Sequence, residues 1–320
     1  MVRTHLAVSA AILALGAPLD LPAQGATLET IAEGSDVDGI SKLEYDDRSD
    51  RLLGAIGRRL VAVDVKRSGA TTLVTMQNDI LALALDVETS IAAVTARGDQ
   101  AIFLLDLHGG SMTRVPVDGS GSPEIVVYDA ATDGYVVAGD SRPSLTVVPS
   151  AGRQRQKTVG LPSPASGLAA NGRGWVFATA ADKPAIYIAN SKKGAFLGVF
   201  PVPDCVRPRF PIVDDVERRL YVTCSNGVLV ALDSDTGVVL GRTEIPKRVS
   251  DVVMPASSGR IINLVIATSD DGIWMASGRI TADSASQVIG GTWDRIDLAA
   301  GPDGVVFVSR NHKVNRLTKP

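Results

Sequence analysis

Apolar and polar residues alternate along this chain in short, turn-bounded runs. The clearest is RRLYVTCSNGVLVALDSDTGVVLGRTEI, from Arg218 to Ile245. Leu220–Thr223 and Val228–Leu232 are rich in β-branched and aromatic residues, and Ser225-Asn226-Gly227 between them is turn chemistry. Asp233-Ser234-Asp235-Thr236-Gly237 turns the chain again, into a third strand over Val238–Ile245. With Phe210–Val213 in front, the unit reads as a four-stranded antiparallel meander. Such a unit cannot bury both of its faces alone, so it calls for stacked copies of itself.

The copies are present. The residue closing the third strand recurs as Asp64, Asp106, Pro149, Asn190, Asp233, Ser277 and Thr318, at gaps of 42, 43, 41, 43, 44 and 41 residues. The first apolar residue of the second strand gives an independent series: Leu52, Ile91, Tyr135, Trp175, Leu220, Ile261 and Val305. Both series count seven. Four strands in about 40–45 residues is the signature of a β-propeller blade. Helix-pair solenoids share the period, but each copy here alternates at period two and carries Gly, Asp or Asn turns. The fold class is therefore all-β, a seven-bladed propeller of four-stranded antiparallel blades.

Blades one to six are expected over 40–76, 80–117, 124–160, 165–202, 205–246 and 249–288. Trp293–Leu317 supplies only three strands, whereas Ala26–Glu33 has no blade before it and is patterned like an outer strand. The N-terminal strand is therefore expected to complete blade seven and close the ring, leaving no open junction. Blade three is given an outer strand at Arg153-Gln154-Arg155-Gln156-Lys157, with three cations on one face, as suits an edge guarded against sheet-to-sheet pairing.

Ahead of the repeats, Arg3 and His5 precede an apolar run from Leu6 to Ala17, and Ala23-Gln24-Gly25 offers small residues for cleavage before Ala26. Residues 1–25 read as a secretory signal peptide, too short to span a bilayer comfortably. Residues 26–320 are expected to form one soluble domain, periplasmic or secreted and monomeric, with no later membrane span. Aromatic residues make up only 4% of the chain, so blade packing must rest on Val, Leu, Ile and Ala. The net charge of −3 argues against a nucleic-acid partner or an anionic membrane surface.

The two cysteines, Cys205 and Cys224, flank the Val213-Asp214-Asp215-Val216 turn symmetrically. A hairpin folded about that turn places them face to face, which in an exported protein predicts a disulfide. Beyond residue 25 only His108 and His312 remain, so neither a zinc site nor a Ser-His-Asp triad has the residues it needs. Glycine-rich pieces such as Gly119-Ser120-Gly121 precede no helix pattern, which excludes phosphate and dinucleotide loops. What remains is the propeller's loop face. Its blade connections carry acids in the first blades (Asp38, Asp79, Glu124) and bases in the last (Arg207, Arg209, Lys247, Arg248, Arg295). The basic arc is expected to be neutralised by Asp204, Asp251 and Asp294 or to hold a small anionic molecule, with arginine offering paired hydrogen bonds to carboxylate or phosphate.

The Arg218–Ile245 stretch resembles the repeat of the YVTN family of bacterial β-propellers: Leu220-Tyr221-Val222-Thr223-Cys224 has Cys where that repeat has Asn, and Asp233–Gly237 matches its D-x-x-T-G turn. The resemblance implies an exported propeller and no single activity. ALDSDTGVVL is also similar to the quinoprotein dehydrogenase repeat, but Leu240 stands where that repeat places Trp. The leading expectation is a non-catalytic propeller, without cofactor, that binds a small ligand or protein partner on its loop face. The alternative is a hydrolase or lactonase with a divalent cation such as Ca or Mg in the channel. Propeller lactonases use Glu, Asn and Asp there, and Glu124, Asn171, Asn226 and Asp270 are available by type.

Overall fold

A computed structural model describes residues 26–119, 121–139, 142–150, 155–255 and 263–318. The expected signal peptide, the Ile261 anchor, and Arg153 and Gln154 lie outside them. Period-two alternation produces seven antiparallel sheets of four strands each, arranged as a ring of blades. The innermost strands, one per blade, are Ser41–Asp46, Ile80–Asp86, Pro123–Asp129, Ala165–Ala170, Pro208–Asp214, Val249–Val253 and Ile296–Ala300. The third strands end at Asp64, Asp106, Pro149, Asn190, Asp233, Ser277 and Thr318, as the repeat count requires. The outer strand of blade three differs: it runs over Lys157–Gly160, and Arg155 and Gln156 precede it.

Each blade is a thin, two-faced layer, so the core lies between blades. Seven apolar clusters occupy the seven blade-to-blade interfaces. They consist mostly of Val, Leu, Ile and Ala, with Tyr135, Phe177, Tyr187, Tyr221 and Phe307 as the largest fully buried side chains. Two of these tyrosines also fasten neighbouring blades. The Tyr135 hydroxyl donates to the Ile91 carbonyl at 2.8 Å, and the Tyr221 hydroxyl donates to that of Gly278 at 2.8 Å.

Carboxylates and amides cap the hairpins at the end of the ring away from the blade connections. After the first strand, Asp86, Asp129, Asn171 and Asp214 each accept backbone N–H groups of the turn that follows. Asp46 instead takes Arg51 Nε at 3.0 Å. Asp64, Asp106, Asn190 and Asp233 do the same after the third strand. The Gly109 and His108 amides hold the Asp106 carboxyl below its usual range, and Thr236 does so for Asp233. These Asx turns satisfy backbone donors that a tight turn would otherwise leave unpaired.

The ring closes as expected. Thr27–Glu33 pairs antiparallel with Lys313–Thr318 as the outer strand of blade seven. Thr30 Oγ1 donates to Asn315 Oδ1 at 3.1 Å, and Lys313 pairs with Glu33 at 3.0 Å. The seventh apolar cluster, between blades seven and one, takes Ile31 and Ala32 from this strand.

Cys205 and Cys224 form the disulfide, with Cα atoms 5.2 Å apart. The expected symmetry does not hold. Asp214 faces Arg219, so the hairpin turns two residues later than its sequence midpoint, and Cys224 lies opposite Pro208. Cys205 sits before the inner strand, and the bridge ties the blade-four-to-five connection to the end of the second strand of blade five.

Two outcomes follow from this closure. A chain starting at Ser35 should melt roughly 10 °C or more below the 26–320 chain, or precipitate, because it leaves a strand edge and an apolar cluster open; matching melting curves would remove the strand from the ring. Replacing both cysteines with alanine should cost about 3 kcal/mol in denaturant titration. Intact protein produced in an oxidising compartment should have a mass two hydrogens short, and two freely alkylated thiols there would refute the bridge.

Candidate functional site

The seven inner strands surround a central channel, a void of about 540 Å³ to which every blade contributes. Its wall mixes apolar residues such as Leu81, Ala82, Phe210 and Pro211 with polar ones such as Lys42, Glu124, Ser166, Arg209 and Ser250. Gly167 belongs to this wall for a steric reason, since a Cβ there would come within 2.6 Å of Pro211 Cδ on the next blade.

The charged groups in the channel are unevenly placed. Glu44, Asp251 and Asp297 stand on the inner strands of blades one, six and seven, which are consecutive around the ring. Two of them reach the next blade. The Leu298 amide donates to Asp251 Oδ2 at 2.9 Å, and the Lys42 amide donates to Asp297 Oδ1 at 3.2 Å. The Val252 amide takes the other Asp251 oxygen at 2.8 Å. All three side chains are half-buried, with protein around them and only channel space to solvate them. Burial, with the Asp251 charge adding to it, pushes the Glu44 carboxyl up to about 8. Burial and the neighbouring Asp297 carry Asp251 up to about 7, against the pull of its amide donors and Lys42. Asp297 is also raised by burial, offset in part by Lys42.

A second void, about 240 Å³, opens between blades five and six on the face that holds the blade connections. Arg209, Lys247 and Arg248 line it, with Thr223, Ser225 and Ser269. Arg209, Phe210, Val249 and Ser250 border both voids, so the basic mouth and the channel adjoin. A β-bulge between Arg209 and Ile212, with Phe210 in the left-handed region (φ 47°), redirects the chain at this point. The Arg209 guanidinium lies 5.5 Å from the Phe210 ring centroid.

The structure thus gathers three of the five bases singled out in the sequence and separates the rest. Arg207 and Arg295 are exposed and line neither void. Asp38 pairs with His312 at 2.6 Å, Asp79 is exposed in the connection from blade one to blade two, and Glu124 lines the channel. The expected neutralising partners are also different. Arg248 pairs with Asp270 at 3.3 Å, Asp204 is taken by Arg242 at 2.8 Å, and Asp251 serves backbone amides. Among the described residues Arg209 and Lys247 have no carboxylate within ion-pair distance.

Nor do the four residues considered for a divalent cation converge. Asn171 caps the turn after the inner strand of blade four, at the opposite end of the ring from Asn226, which accepts the Val206 amide. Asp270 is engaged with Arg248. Among the described residues no group of three or more His, Cys, Asp or Glu side chains is placed to hold a metal ion. Of the channel carboxylates, Glu124 and Asp251 were singled out in the sequence for other duties, whereas Glu44 and Asp297 went unread, although Asp297 is the lone acid of its inner strand.

No family model matches the chain, and no curated protein matches it. Among solved structures, a chain in the crystal structure of a mitotic checkpoint complex aligns over 99% of this chain and 99% of its own length, with a TM-score of 0.73 and 11% sequence identity. At that identity the likeness speaks for the fold. Among the described residues no helix is long and apolar enough to cross a membrane. The chain is a seven-bladed β-propeller.

The raised carboxyls have a measurable consequence. Their folded-state values lie above the ordinary carboxylate range, so between about pH 4 and 8 the folded protein holds more protons than the unfolded chain. Stability from these groups is present at the acidic end of that window and is lost as pH rises through it. The melting temperature should fall by about 5 °C from pH 5 to pH 9, and less in Glu44→Gln. A wild-type curve flat across this range would contradict the burial of these acids.

Proposed function

We propose that this protein is a non-catalytic binding propeller, and that its basic mouth receives a carboxylate or phosphate carried by a small molecule or by an acidic segment of a protein partner. The observation that carries the reading is the convergence of Arg209, Lys247 and Arg248 on one concave opening, with Arg209 and Lys247 lacking internal carboxylate partners among the described residues. All three are exposed at the rim, so their attraction for an anion is direct, charge-assisted and sensitive to salt. Thr223, Ser225 and Ser269 supply hydroxyls at the same rim. A rigid ring carrying its variable chemistry on loops at one face suits binding, and propellers commonly serve as interaction scaffolds.

The same reading places the protein outside the cytoplasm of a bacterial cell, in the periplasm or medium. Its support is the disulfide, the layout of residues 1–25 and the YVTN-like repeat. It is proposed to act as a monomer.

Calorimetric titration with citrate and phosphorylated sugars at low and high salt tests the mouth. Binding should be weak, diminish at high salt, and disappear in the Arg209→Ala/Lys247→Ala double variant. Absence of heat at low salt, or undiminished binding by the double variant, would overturn the reading.

A further inference from the structure

The mouth and the channel share a wall, so the charge state of one bears on the other. The pertinent groups can be assigned strand by strand. The inner strand of blade one offers Lys42 and Glu44, that of blade three Glu124, and that of blade five Arg209. Blade six brings Asp251, and blade seven Asp297 with Arg295 just outside. Blades two and four line the channel with Leu81, Ala82 and Leu83, and with Ser166, Gly167 and Leu168, and so add no charge. With Glu44, Asp251 and Asp297 neutral, the cations outweigh Glu124. With the three ionised, the acids outweigh Lys42 and Arg209. The sign of the channel therefore depends on these three protons.

We propose that Glu44, Asp251 and Asp297 regulate the mouth, so that an anion on Arg209 and Lys247 is held in mildly acidic medium and released in mildly alkaline medium. This rests on the reading of the mouth as an anion site. Three structural features support it. Two of the three acids are fixed in place, since Asp251 and Asp297 each accept a backbone amide from the following blade and cannot swing out to solvent without breaking it. The acids and one of the mouth cations share a single space, since Arg209 lines the channel together with Glu44, Asp251 and Asp297 and lines the mouth as well. Asp251 also lies one residue beyond Ser250 and two beyond Val249, both of which border the mouth itself. The burial-raised carboxyls, about 7 for Asp251 and about 8 for Glu44, then place the change in the neutral to mildly alkaline range.

The test uses inorganic sulfate, whose charge is constant from pH 6 to pH 9, titrated at fixed ionic strength. Binding is followed calorimetrically or by shifts of the arginine side-chain resonances. Wild-type protein should bind sulfate on the order of tenfold more weakly at pH 9 than at pH 6. Glu44→Gln leaves the interblade amide bonds intact and should cut that ratio to about half or less, by keeping affinity at pH 9. Asp251→Asn, checked by its melting curve at each pH, should act in the same direction. Sulfate binding that is present but equally strong at both pH values, or a ratio unchanged in both variants, would overturn the regulation while leaving the anion site standing. Absence of sulfate binding at pH 6 would instead overturn the anion site, and the regulation with it.

Discussion

A four-stranded blade with two apolar faces has no stable existence by itself, and every other property of this protein follows from that. Each face must be covered by the next blade, and the demand passes around the ring until the last interface is covered by the first. Seven clusters meet the demand, and the seventh depends on Thr27–Glu33 lying against Lys313–Thr318. Closure also creates the channel. Seven inner strands meeting around an axis leave a space that no single blade defines, and the chemistry inside it belongs to neighbours rather than to any one repeat.

The two ends of the ring are used differently. At one end the turns after the first and third strands are capped by carboxylates and amides, and those side chains are spent on holding backbone donors. At the other end, where Asn226 holds the connection into blade five, three of the cations gather on one opening. The disulfide belongs to this second end. It anchors the connection into blade five beside the opening, with Cys224 itself on the rim. The rim is therefore among the least deformable parts of a face otherwise built from loops.

The sequence made the blades legible because strand alternation and turn residues are local, and seven repetitions of a local signal reinforce one another. The closing strand was legible for the same reason, by its likeness to other outer strands. The site was less so. Cys205 and Cys224 were matched as partners, but their geometry was not, because a turn displaced by two residues and a bulge at Arg209 leave no mark on the spacing. Arg209, Lys247 and Arg248 were singled out as a charge asymmetry, and only the fold could bring these three together and leave Arg207 and Arg295 outside. Glu44, Asp251 and Asp297 lie far apart in sequence, up to 253 positions between Glu44 and Asp297, and each alone looks like an ordinary polar residue in a strand. Their meaning comes from ring adjacency, which a linear reading reaches only after the blades are placed.

The strand that closes the ring is the first of the domain to be synthesised, and its partner is the last. Thr27 and Thr318 touch at 2.6 Å across a sequence separation of 291. Until translation reaches that partner, the leading strand carries its hydrogen-bonding edge and its apolar Ile31 and Ala32 without a place to put them. Contacts so distant along the chain are slow to form, because the loop entropy must be lost before any of the interface is gained. The six preceding blades can assemble by nearest-neighbour docking, but the final one waits for both ends to meet. The vulnerable species is thus an incomplete, open array with sticky ends, and the time spent in that form sets how much the chain relies on dilution or on chaperones.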